Sequence, residues 1–154
     1  KIDTETAKEL IKQVPVFVDS VLVIMPDDLD SAMALIRETR PACVQIHNDR
    51  PISDLAAISK IVKLIKTISV PEDTSSGIAD RIINIISQID SLTGIADAIL
   101  LDTSTGARSG GGGGGTGLVH DWRISAEIVR RSRLPSSGKY SSPTASIRRF
   151  HLSR

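Results

Sequence analysis

Aromatic side chains are scarce: the 154 residues include one Trp, one Tyr and two Phe. Proteins that hold single-stranded nucleic acid stack bases on aromatic rings, and this chain has few to offer. Its basic residues gather late, over 123–133 and 148–154, near Trp122, Tyr140 and Phe150. No binding motif organises them, so no nucleic-acid partner is expected. Cysteine is nearly absent as well. The single thiol, Cys43, excludes an internal disulfide and fits a reducing cytoplasm. No apolar run reaches the roughly 18 residues a membrane helix needs, and no signal-peptide pattern is present, so no membrane partner or export is expected. No excess of positive or negative charge is present either, since 19 Lys and Arg against 18 Asp and Glu leave a formal net of +1. What remains is enough hydrophobic residue, 40% of the chain, to build a core.

That residue is arranged in alternating helical and extended patterns. Ala7, Leu10, Ile11 and Val14 recur at helical spacing, with Asp3 or Thr4 as the expected cap. A valine- and isoleucine-rich strand is predicted over 17–25, stopping at Pro26. Asp27 and Asp28 then suit a helix start, where carboxylates meet unpaired backbone N–H groups. Leu29, Ala32, Met33 and Ile36 give that helix its apolar face. Further strands are predicted at 42–48, 62–69 and 97–103, with helices near 53–60, 78–89 and 123–133 between and after them. Strand–helix repetition of this kind makes a parallel sheet covered by helices, an α/β fold, with the strands adjacent in chain order.

Past the helix near 123–133 the pattern fails, leaving a weakly structured tail over 134–154. A glycine-rich loop is expected at 104–117, and Gly110–Gly115 is an uninterrupted run. Phosphate-cradling loops need glycines at set positions, whereas a homopolymer carries no side-chain chemistry and behaves as a linker. A mobile anion-binding loop and a replacement for a shorter loop are the two readings of that run.

The most informative stretch is 96–122, ADAILLDTSTGARSGGGGGGTGLVHDW. An apolar strand ends at a carboxylate, Asp102; the glycines follow; then Asp121 and Trp122 open a helix. The carboxyl end of a parallel strand is where α/β folds carry chemistry, because pairing fixes the last side chains while the loop beyond varies. Asp102 is therefore the candidate catalytic residue, against the plainer reading of an aspartate capping a turn. Gln45 and His47 sit on one strand with alternation that could aim them at the same end, though a structural role suits His47 better. His120 and His151 have no partners at metal-ligand spacing, so no metal site is expected.

Several of these blocks resemble the archaeal phosphoribosylanthranilate isomerases, (βα)8-barrel enzymes of tryptophan biosynthesis. The likeness rests on VDSVLVIMP (18–26), RPACVQIHND (40–49), KLIKTISV (63–70), ADAILLDTSTG (96–106) and GGTGLVHDW (114–122), in family order, with SSG at 136–138 more weakly. The resemblance implies a TIM-barrel type of α/β fold in a single domain over 1–154, incomplete as written, since four strands cannot close an eight-stranded barrel. It implies a small phosphorylated substrate, no cofactor, and an Amadori rearrangement of a phosphorylated aminofuranose to an aminoketose. That reaction needs an acid at the ring oxygen and a base at the C2′ proton. Asp102 matches the acid. Gly114, Gly115, Gly117, Ser137 and Gly138 match the segments that hold the substrate phosphate through backbone N–H groups.

The departures from the family carry expectations of their own. A KICG-type strand bearing the cysteine base, an arginine-bearing segment before the first helix and an AGG-type strand after Pro135 are not in the sequence as written. Cys43 stands at the start of a different strand and reads as a small core residue. The chain by itself is thus expected not to turn over, and open sheet edges favour a homodimer, or aggregation, over a monomer. The alternatives are a non-catalytic engineered or incompletely recorded barrel fragment, and a flavodoxin-like open sheet with another ligand.

Overall fold

Two of the helices begin where a carboxylate satisfies one of the first backbone N–H groups. In the computed structural model, which describes residues 2–71, 77–104 and 122–131, α1 (Thr4–Lys12) starts at Asp3, whose Oδ1 accepts from Thr6 N at 2.8 Å. α2 (Leu29–Thr39) starts at Asp28, which accepts from Ser31 N at 2.7 Å. The remaining elements are β1 (Val21–Ile24), β2 (Cys43–Ile46), α3 (Ile52–Ser59), β3 (Lys63–Pro71), α4 (Ile78–Ser91), β4 (Ala98–Ser104) and α5 (Trp122–Arg131). Hydrogen bonding to the Ser31 amide holds the Asp28 carboxyl below its ordinary 3.8. A depressed folded-state pKa gives stability that is present above the unfolded value and lost as pH falls through the folded one. Asp28→Ala should therefore lower Tm at pH 7 and lower it by less at a pH below the ordinary 3.8. Asp28→Ser should restore most of the loss, and thermal melts at the two pH values check all three outcomes.

The four strands form one parallel sheet in the order β1-β2-β3-β4. Val21 pairs with Cys43 and Cys43 with Lys63, and the register runs in step to Ile24, Ile46 and Lys66. Alternation of strand and helix thus gives the parallel α/β sheet it predicts. The boundaries differ. The first strand starts at Val21, not at residue 17, because Val18 N turns back to Pro15 O at 3.2 Å and Phe17 takes a left-handed φ of 72°. A proline followed by a residue with positive φ cannot continue an extended ladder, however β-prone Val16–Val18 are. Met25 falls outside the strand beside Pro26, the second strand covers Cys43–Ile46 within the predicted 42–48, and β3 runs on to Pro71.

Two compact units divide these elements. The first holds residues 1–66 and 95–97, the second 67–94 and 98–154, so β3 contributes to both. In the first unit α1 packs on α2 and α2 on α3. Its core is built from Ile24, Ile36, Val44, Ile46, Leu55, Ile58 and Leu64, all buried. Asp97 is fixed there by two bonds to one residue of β3: its N–H donates to Leu64 O and its Oδ2 accepts from Leu64 N, both at 2.8 Å. In the second unit α4 packs on α5, with Ile82, Ile85, Ile89 and Ile128 buried. Arg130 and Arg131, two of the late arginines, both pair with Glu127 on α5.

Candidate functional site

Parallel pairing brings the carboxyl ends of β1 and β2 to the same edge of the first unit. The ladder extends one residue past β2, where His47 N donates to Ile24 O at 3.1 Å. Two side chains then tie the segment after β2 to the segment after β1. Asn48 Nδ2 donates to Pro26 O at 2.8 Å, and Arg50 Nη1 donates to Asp27 O at 2.6 Å. Arg50 also pairs with Asp54 on the first turn of α3, both side chains being largely buried. Charge-assisted bonds of this kind are about twice as strong as neutral ones, so the loop carrying His47, Asn48 and Asp49 is held to a firm support. Gln45 and His47 are half-buried and each is engaged in polar interaction.

Lys66 is buried more deeply than either Arg50 or Asp54. It sits on β3 in register with Ile46, the last residue of β2, and its Nζ lies 3.9 Å from Asp49 Oδ1. Burial pushes its ammonium below the ordinary lysine range, and the Asp49 carboxylate partly opposes that shift. Sequence reading passed over Lys66, as it did Asn48 and Arg50. The signal was available in the strand: with period two, Lys66 falls on the same face as Leu64, Ile68 and Val70, all buried.

Asp102 is the fifth residue of β4 and lies two positions before its end, half-buried and engaged in polar interaction. This places the candidate acid at the carboxyl end of its strand. Gly114, Gly115, Gly117, Ser137 and Gly138 lie outside the described residues, as do His120 and His151. Among the described residues no group of three or more His, Cys, Asp or Glu side chains is placed to hold a metal ion, and no helix is long and apolar enough to cross a membrane.

Cys43 occupies the opposite end of the first unit. It is the first residue of β2, buried, and its N–H donates to Ser20 O at 3.0 Å. Burial raises its thiol above the ordinary range, with the Asp97 carboxylate adding to the shift. A neutral thiol at the amino end of a strand is core, not a base. Modification by a thiol reagent at pH 8 should be at least about tenfold slower in the native protein than in urea. Equal rates would show Cys43 to be an accessible thiolate. A shallow groove lined by Ile36, Arg37, Arg40, Pro41, Ile61 and Val62 also lies before the amino ends of β2 and β3. In α/β barrels that end serves stability rather than chemistry.

Comparison with known proteins gives this geometry a lineage. Residues 1–134 match the family model described as PRAI, N-(5'phosphoribosyl)anthranilate (PRA) isomerase. A curated relative, the N-(5'-phosphoribosyl)anthranilate isomerase of Methanosarcina acetivorans, is 39% identical over 141 residues, which is 88% of this chain and 57% of the relative. The chain thus spans little more than half the length of the curated relatives it matches. Among solved structures, the phosphoribosyl anthranilate isomerase of Thermotoga maritima is similar with a TM-score of 0.62 at 23% identity, covering 86% of this chain and 56% of that one. A second has a TM-score of 0.51 at 22% identity, over 67% of this chain and 47% of that one. It is a phosphoribosyl anthranilate isomerase in complex with reduced 1-(o-carboxyphenylamino)-1-deoxyribulose 5-phosphate. These likenesses carry the fold, a TIM-barrel type of α/β architecture.

Proposed function

Because this chain belongs to the N-(5'-phosphoribosyl)anthranilate isomerase family, we propose that the protein takes part in tryptophan biosynthesis by isomerising phosphoribosylanthranilate to the corresponding aminoketose. The observation that carries this reading is the family match over residues 1–134, which includes Asp102 near the carboxyl end of β4. In the proposed reaction the Asp102 carboxyl gives its proton to the furanose ring oxygen, and the ring opens to a C1′ imine. A base removes the C2′ proton, and the electron pair moves into a C2′–C1′ double bond as the C=N electrons of the protonated imine return to nitrogen. A proton added at C1′ with loss of the C2′ hydroxyl proton leaves the ketone. No atom is gained or lost. Gly114, Gly115, Gly117, Ser137 and Gly138 are proposed to hold the phosphate through backbone N–H groups, which suit an anion without committing a side chain.

The rest of the reading follows from this assignment. A single domain over 1–154 is supported by the family match, which runs without a break over residues 1–134. A homodimer is supported by the exposed Val21, Val23 and Met25 on and beside β1, the first strand in the sheet order. The cytoplasm suits a biosynthetic enzyme with one buried free thiol. Supplying phosphoribosylanthranilate in deuterium oxide to these residues together with a strand that bears the cysteine base tests the function; the 154 residues alone should leave it unchanged. The expected product of that complemented form has one solvent deuterium at C1′, and recovery of unchanged substrate from it would refute the assignment.

A further inference from the structure

An ammonium near the carboxyl end of β2 has no part in the proton transfers above. Lys66 starts level with Ile46, where β2 ends, and its Nζ comes within 3.9 Å of Asp49 in the segment beyond. The side chain therefore runs toward the end of the strands at which α/β folds bind ligands. It is only 7% exposed, while Asp49 is fully exposed. Placing an ammonium in the interior is costly even when it is paired, and an apolar side chain of similar size is often as stable or more so. Methionine would fill the same space without the cost. The cation is thus better explained by use than by stability. Arg50, on the segment just past β2, has its guanidinium engaged by Asp54 and the Asp27 carbonyl, which ties it to the fold. Lysine differs in kind: it is a compact point charge, suited to a single oxygen of a phosphate or carboxylate.

We infer that Lys66 binds an anionic oxygen of the ligand, from a phosphate or a carboxylate group, at the carboxyl end of the first unit. That the ligand carries such groups rests on the function proposed above; the binding itself is tested without turnover. Inorganic phosphate and 2-aminobenzoate, titrated separately into the protein and into Lys66→Met, distinguish the two sources. The variant should bind one of them about tenfold more weakly or worse, as expected for loss of a hydrogen bond to a charged group. Weakening confined to phosphate assigns the phosphoryl group, and weakening confined to 2-aminobenzoate assigns the carboxylate. Unchanged affinity for both, or no binding of either probe to the parent, overturns the inference. The ε-methylene resonance of Lys66 in the unmutated protein decides the matter should the variant fail to fold. It should shift on saturation with the bound probe, and no shift with either overturns the inference. A result of either sign leaves the role of Asp102 to its own test, because that role is read from turnover and this one from binding.

Discussion

In an active form of the protein, one that also carries a base for the C2′ proton, Asp102→Asn should lower kcat by about 10²–10⁴-fold and leave KM within a few-fold of the parent. Asparagine has the same shape as aspartate and can still donate a hydrogen bond, but it has no proton to transfer. Its loss is therefore felt where charge develops on the ring oxygen, in the transition state, and not in ground-state binding. The position also argues for a confined effect. Asp102 lies near the end of a paired strand, half-buried, and the substitution leaves backbone pairing untouched. Full turnover in the variant would remove Asp102 from the chemistry. A matched fall in kcat and Tm would mark it as structural.

The second large effect concerns the sheet that carries the first unit's rim. Ile46 is 0% exposed, and its place in the register lies between Ile24 and Lys66. Ile46→Ala removes buried methyl and methylene groups from a packed layer that can collapse only partly around the gap. The expected loss is about 2–5 kcal/mol, against about 0.5–1.5 kcal/mol for Ile46→Val. Domains are stable by only about 5–15 kcal/mol, so the alanine variant should show a sharply lower urea midpoint with an unchanged slope. A loss under about 1 kcal/mol would mean that this layer is not a close-packed core.

Much of this was legible in the sequence, for identifiable reasons. The order of strands and helices follows from local periodicity, and Asp3 and Asp28 declared their helix starts through chemistry that acts within three residues. The strand predicted over 17–25 begins too early because Phe17 and Val18 favour extended structure one by one, whereas the turn at Pro15 overrides them together. Asp102 stood out because an apolar strand runs into it and a glycine-rich loop follows. Lys66 did not, although the alternation of KLIKTISV puts it beside buried neighbours. A lysine in a strand ordinarily reads as solvent-facing, and only packing from other elements decides whether its charge is buried. The Asn48 and Arg50 ties were hidden for a related reason: their acceptors, Pro26 O and Asp27 O, are backbone atoms more than 20 residues away.

A crystal structure of the protein bound to reduced 1-(o-carboxyphenylamino)-1-deoxyribulose 5-phosphate tests the account most directly. The Asp102 carboxylate should lie about 2.6–3.2 Å from the sugar oxygen that corresponds to the furanose ring oxygen, the reach an acid needs to deliver its proton. Finding that oxygen beyond hydrogen-bond reach of Asp102, or the compound bound at the amino end of the strands, would contradict the assignment.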